Sequence, residues 1–380
     1  MKKYEDLMNL QAVSGNEKPV RDYILNFING FNNYEVEYDN LGSIFAVKKS
    51  KNPNAKTVMI AGHMDEVGFI VASITKNGHI KLQQLGGFKP EVLLSQVLDL
   101  HLDSGEVISG VIGSLPPHIK EANQTKISDL LLDIGATSKE EAISFGVKPG
   151  QMVVFQSNFT YTKNPNRIIS KAVDNRFGCG LTLDVIEKFH DVDLDVNLVV
   201  GNTVQEEVGL RGAITSTKKF KPDVFIALDS SPVNDLVKLE NGGLGHGFLL
   251  RIFDPRNVMH QGLMNFFKET ALNNEIKYQP FTSLGGTDAA AALDQLKGVL
   301  ATTIGLPARY IHSTAAMMDI NDLNEARKMV FAVINNLNEE TIQKIKEGYF
   351  WLNYQMELNY QGLVLGHLEW LMKKKLKQLF

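Results

Sequence analysis

The chain has 380 residues, 44% of them apolar, enough to bury a full core and to build two domains. Its 39 Lys and Arg stand against 43 Asp and Glu, a formal charge of -4 with no basic block before the C-terminal tail, so nucleic-acid binding is not expected. No run reaches the roughly 18 apolar residues of a membrane span, no signal-type apolar stretch opens the chain, and Cys179, the single cysteine, excludes an intramolecular disulfide and a cysteine zinc cage; a cytoplasmic protein is expected.

Leu7, Leu10, Val20, Tyr23, Ile24 and Phe27 recur at three-to-four spacing, which predicts helices over residues 1–30. Ser14 followed by Glu17 predicts a capping box that opens the second of them. Short apolar runs bounded by turn residues predict buried strands over 57–61, 196–200 (running on towards Val204), 223–228 and 299–304. Helical patterns over 179–189, 263–272, 288–293 and 323–337 alternate with them, the mark of an α/β layer with helices on both faces. From about 69 to 162 the pattern differs. Runs over 69–74, 80–82, 97–102, 107–112 and 152–155 are β-like and punctuated by Gly and Pro, with one helix expected over 138–144. This stretch reads as a small β-rich domain inserted into the α/β domain. In the tail, Trp351, Trp370 and the lysines Lys373, Lys374, Lys375 and Lys377 read as a terminal helix packed on the surface or frayed, rather than as a membrane-surface element.

The chemistry gathers at the ends of the predicted strands. His63 and Asp65 follow the first, Glu206 and Glu207 the second, Asp229 the third and His312 the fourth. Ligands of a parallel α/β sheet bind outside the carboxyl ends of its strands, so these residues are expected to converge on one edge. Imidazoles and carboxylates without cysteine suit zinc, cobalt or manganese, whereas calcium needs more oxygen ligands. With Asp174 added, His63, Asp174, Glu207, Asp229 and His312 are five candidate ligands, which suit a pair of ions better than one. If Asp174 bridges, each ion receives three protein ligands and keeps an open position. Neighbouring side chains of an extended segment project oppositely, so of Glu206 and Glu207 one can bind metal while the other faces the substrate as general base. Asp65, two residues after His63, is positioned to accept the second imidazole N–H. Cys179 reads as a small core residue, and His79, His101, His118, His190, His246 and His260 read as structural.

His63-x-Asp65-Glu66-Val67-Gly68, Ala172-x-Asp174-Asn175-Arg176, Val204-Gln205-Glu206-Glu207-Val208-Gly209-Leu210-Arg211-Gly212-Ala213, Gly285-Gly286-Thr287-Asp288-Ala289 and Ile311-His312-Ser313 resemble, in order over about residues 1–347, the co-catalytic metallo-aminopeptidases. That family includes glutamyl, deblocking and tetrahedral aminopeptidases. The resemblance implies a zinc-exopeptidase-type three-layer α/β/α catalytic domain, residues 1–66 and 166–347, with an inserted small β-barrel dimerisation domain, 67–165; residues 348–380 are an extension without a counterpart. It implies two divalent ions per subunit, zinc or cobalt with manganese as an alternative. His63 and Asp229 would hold one, Glu207 and His312 the other, with Asp174 bridging, Glu206 as base and Asp65 orienting His63. The implied activity is removal of N-terminal residues from short peptides by dimers assembled into a tetrahedral dodecamer. Gly113-Ser114-Leu115-Pro116-Pro117-His118 and Leu250-Arg251-Ile252-Phe253-Asp254-Pro255 are most similar to the glutamyl aminopeptidases and imply a Glu or Asp preference. A basic group such as Arg251 or Arg309 is suited to pair with a substrate carboxylate, although an exposed or structural arginine is the leading reading of each and the spacing does not decide between them. A deacylase or carboxypeptidase on the same metal site, and a non-catalytic scaffold, are the alternatives.

Overall fold

The computed structural model describes residues 1–114, 126–236 and 241–348; Trp351, Trp370 and the tail lysines, and with them His118 and the Leu115 to His118 part of the Gly113 motif, lie outside the described residues. The four predicted strands form the middle of the main sheet. Asn197–Thr203, Thr57–His63, Val224–Pro232 and Leu300–Arg309 lie side by side and parallel. Antiparallel neighbours extend it, Ile44–Lys48 beyond Asn197–Thr203 and, on the other side, Ala316–Asp319 and Phe248–Asp254 against Leu300–Arg309.

The central strands are buried almost end to end because helices cover both faces. Alternating side chains divide between two cores. Val58, Ile60, Val224, Ile226 and Leu228 pack with the helices Lys2–Asn9, Lys18–Ile28, Val173–Phe189 and Ile320–Asn336. Met59, Ala61, Phe225 and Ala227 pack instead with Ala213 of the helix Arg211–Phe220 and with Ala289 and Ala292 of Asp288–Leu293. The result is a three-layer α/β/α unit. The helix Val173–Phe189 lies so close to the sheet that a Cβ on Gly62 would meet the Gly178 carbonyl carbon at 2.7 Å, and one on Gly178 would meet Leu228 O at 2.4 Å. Only glycine fits at both positions, and this approach brings Asp174 to the edge of the sheet where His63 ends its strand.

Six strands, Gly68–Ile74, Ile80–Leu85, Leu131–Asp133, Val107–Ile112, Val97–His101 and Met152–Phe155, close into a barrel in that order. Its core holds Phe69, Val71, Leu98, Leu100, Val153 and Phe155. The barrel leaves the α/β layer at Gly68, shortly after His63, so it stands on the edge of the sheet that carries the candidate residues. No helix among the described residues is long and apolar enough to cross a membrane.

The expected capping box is absent. The second helix begins at Lys18 with no side-chain cap, because both box residues are engaged elsewhere. The Ser14 hydroxyl donates to Asp65 Oδ2 at 2.5 Å, and Glu17 Oε1 accepts from the amides of Gly15 and Gln205 at 2.8 and 3.1 Å.

Candidate active site

His63 ends its strand almost fully buried, at 2% exposure. Its Nδ1 pairs with the Asp65 backbone carbonyl at 3.0 Å, and since a carbonyl only accepts, the ring carries a proton there and turns Nε2 to the carboxylates. Nε2 stands 3.2 Å from Asp174 Oδ1, 3.6 Å from Asp229 Oδ1 and 3.8 Å from Glu206 Oε2. The Asp65 carboxylate is within 3.4 Å of the ring, yet its closer partners are the amides of Glu206 and Glu207, at 3.0 and 3.2 Å, and Ser14. Asp65 therefore clamps the turn that carries both glutamates as well as flanking the imidazole.

Asp174 enters after Ala172, whose φ of 52° turns the chain into the helix, and Asn175 anchors the turn by donating to Leu228 O at 2.7 Å. The two oxygens of Asp174 face different histidines, Oδ1 towards His63 and Oδ2 towards His312 Nε2 at 3.3 Å. Glu207 Oε2 lies 3.7 Å from the same His312 nitrogen. Asp229 sits inside its strand, not after it as predicted, because pairing with Leu300–Arg309 continues to Pro232. All seven predicted residues thus meet at the carboxyl edge of the sheet. Among the described residues, three groups bring ligand atoms within 4.8 Å of one another: His63, Asp174 and Asp229; Asp174, Glu207 and His312; and His63, Glu206 and Glu207.

The electrostatics of this cluster call for positive charge. Burial, reinforced by the charges of Asp229 and Glu207, pushes the Glu206 carboxyl well above its usual range, although His63 opposes the shift. Burial and then the Asp174 charge push Glu207 up to about 8, with His312 opposing. At Asp174 burial is outweighed by hydrogen bonds from His312 and His63, which hold it below the carboxylate range. Burial favours the neutral ring of His312, but Asp174 and Glu207 overcome it and raise it to about 10. Glu207 Oε1 is buried without a hydrogen-bond partner among the described residues, an arrangement that costs free energy unless a cation or water is supplied.

Above the cluster opens a cavity of about 520 Å³, with Arg251 and Phe281 in its walls. Arg251 is 5% exposed; it donates to Gly285 O at 3.1 Å and Ser231 Oγ at 2.6 Å and lies 3.8 Å from Asp254 Oδ2, while its Nε has no partner among the described residues. Arg309, the other basic candidate, is held in a two-point pair by Asp235 at 2.6 and 2.8 Å and does not line the cavity. Two features had no assigned role in the sequence. Asp288, at 2% exposure, accepts from Thr203 Oγ1 at 2.5 Å, and burial pushes its carboxyl to about 7; its motif was legible, its position was not. The barrel turn at Gly86 and Gly87 reaches His312, and no local sequence signal announces that contact.

Residues 42–329 match the family described as M42 glutamyl aminopeptidase. The chain is 42% identical over 349 residues to the glutamyl aminopeptidase of Lactococcus lactis subsp. cremoris, covering 90% of this chain and 98% of that protein. Its fold is similar to the TET aminopeptidase of the marine sediment archaeon Thaumarchaeota archaeon SCGC AB-539-E09, with TM-score 0.86, 33% identity and coverage of 91% and 99%. It is also similar to the Pyrococcus horikoshii TET1 peptidase, which can assemble into a tetrahedron or a large octahedral shell, with TM-score 0.81, 28% identity and coverage of 88% and 99%. With the family match spanning most of the chain and the buried cluster of histidines and carboxylates at the sheet edge, the chain belongs to the M42 glutamyl aminopeptidase family and is an aminopeptidase.

Proposed function

We propose that this aminopeptidase works with two divalent cations, one held by His63 and Asp229, the other by Glu207 and His312, with Asp174 between them. The observation that carries this reading is Asp174, one oxygen towards each histidine. The orphaned Glu207 Oε1 and the excess of buried carboxylates fit the same ions, and a donor set of oxygen and imidazole nitrogen suits zinc, cobalt or manganese. Bound there, the pair supplies Lewis acidity to the scissile carbonyl and acidifies the attacking water. Glu206 takes the proton of that water and delivers it to the leaving amine nitrogen. Asp65, fixing the Glu206 and Glu207 amides, keeps the base and the ligand on their separate sides. The reading assigns 1–66 and 166–347 to the catalytic domain and 67–165 to dimerisation, with dimers assembling into a tetrahedral dodecamer in the cytoplasm; the closed barrel and the Pyrococcus horikoshii relative support the assembly.

The test is release of a chromophore from Glu-, Asp-, Leu- and Lys-linked substrates, free or N-acetylated, before and after chelation and reloading with zinc, cobalt or manganese. Cleavage of free-amine substrates alone, lost on chelation and restored by metal, is the expected result. Release of acetate from the acetylated substrates would favour a deacylase, and activity indifferent to chelation would end the metal reading.

Protons and cations compete for this site. His312 raised to about 10 and Glu207 pushed up to about 8 retain protons that a cation must displace, so affinity falls as pH drops below about 10. Calorimetry in buffers of different ionisation enthalpy should detect net proton release on zinc loading, with binding weakening steadily as pH falls from about 10 to below 8. Binding without proton release would contradict the proposed ligands.

Acidic N-terminal residues are the proposed preference, with Arg251 in the cavity wall as their partner, as the likeness to the Lactococcus lactis glutamyl aminopeptidase supports. Arg251→Met should raise KM for a Glu substrate relative to a Leu substrate by about 10- to 100-fold, the worth of a hydrogen bond to a charged group. An equal loss on both substrates would rule out the pairing.

A further inference from the structure

We propose that the inserted barrel supplies the group that orients His312, which makes Gly87 a positioning residue for one of the two cation positions. The proposal rests on the metal reading above. The Gly87 carbonyl lies within hydrogen-bond distance of His312 Nδ1. A carbonyl oxygen only accepts, so the ring carries a proton on Nδ1 and turns Nε2, the nitrogen that must give up its own proton when a cation binds, towards Asp174 and Glu207, 3.3 and 3.7 Å away. His63 reaches the same tautomer through the carbonyl of Asp65, two residues along its own chain. His312 has no such local support: among the described residues its own loop gives the ring no hydrogen bond, and its φ of 58° turns it out of the strand direction.

Gly86 is what allows the barrel so close. Its φ is 80°, and a Cβ there would stand 2.5 Å from Val67 Cγ1 and 3.1 Å from Glu207 Oε2. Glu207 and His312, the two residues proposed for one cation without the bridge, therefore both meet this turn. No hydrogen bond among the described residues links His63 or Asp229 to it. The barrel thus acts on one half of the site only, as outer partners of metal-bound histidines do when they set ring orientation and basicity.

Gly86→Ala should push the turn back. In equilibrium dialysis of the full chain with zinc, one ion is expected to bind roughly 10- to 100-fold more weakly while the other is unaffected. Added to His312→Ala, G86A should cause no further loss, as a double-mutant cycle requires when one residue acts through the other. Retention of both ions by G86A, or full additivity in the cycle, overturns the proposal. Should G86A fail to fold, the wild type decides. Spectra of the zinc-loaded enzyme with isotope-labelled histidine, assigned by comparison with His312→Ala, should place the His312 proton on Nδ1; a proton on Nε2 overturns the proposal. A wild type that binds fewer than two ions overturns the metal reading and this inference with it.

Discussion

Glu206→Gln is expected to lower kcat by roughly 100- to 10,000-fold, the usual worth of a positioned general base, while the protein keeps both ions and its unfolding midpoint. Glutamine preserves the shape of the side chain, and the backbone amide stays fixed by Asp65 Oδ1 at 3.0 Å, so the turn should not move. What is lost is the oxygen that accepts the proton. The same experiment separates two roles that the geometry leaves adjacent, because Glu206 lies 3.8 Å from His63 Nε2 and shares a possible cation group with His63 and Glu207. A base affects kcat and leaves ion content alone; a ligand loses an ion, and its defect shrinks when metal is added in excess. Turnover within tenfold of the wild type would exclude Glu206 as the base.

The strands that carry the site were legible because each is buried on both faces and so reads as an unbroken apolar run, as in 57–61 and 223–228. The candidate ligands other than Asp174 were legible because they follow those runs; Asp174 comes after Arg167–Ser170, a strand that the apolar pattern did not mark. Legibility failed where a residue's partner is remote in sequence. Ser14 and Glu17 carry a helix-opening pattern, yet they bind Asp65 and the amide of Gln205, contacts that no local pattern encodes. The strand Leu131–Asp133 is too short to alternate visibly and exists only because the barrel closes around it. The helix Arg211–Phe220 was missed because only Gly212, Ala213, Ser216 and Thr217 are buried, a face of small and polar residues that shows no apolar stripe. Arg251 and Arg309 looked alike as candidates for a substrate carboxylate, and only the structure tells them apart, since Arg251 lines the cavity while Arg309 lies outside it, paired with Asp235.

Glu66→Gln should cost about 3–5 kcal/mol of stability, the range for removing one partner of a buried ion pair. Glu66 is the carboxylate that pairs directly with two buried cations, Lys171 and Arg176, and the charge of Asp99 also acts on Lys171. Its oxygens each lie 2.7 Å from Lys171 Nζ, and Oε1 accepts from Arg176 Nη2 at 3.3 Å and from the Ala12 amide at 3.2 Å. Lys171 is 2% exposed and Arg176 is fully buried. Arg176 also donates to the carbonyls of Leu7, Leu10, Ala12 and Met64, tying the end of the first helix and the segment after it to the segment between His63 and Asp65. Without Glu66 this guanidinium keeps its carbonyls but loses its counter-charge, and so does Lys171. Burial already draws the Lys171 amine below its usual range, with Glu66 opposing, so in the variant it should give up its proton more readily. The stability deficit should therefore narrow as pH rises towards the usual lysine range, because the neutral amine is cheaper to bury. A second substitution, Lys171→Met, removes one uncompensated cation and should recover more than about 1 kcal/mol in the E66Q background. Denaturation midpoints of the three variants measure this directly. A single-variant cost below about 1 kcal/mol, or no recovery in the double variant, would mean that water rather than Glu66 neutralises this cluster.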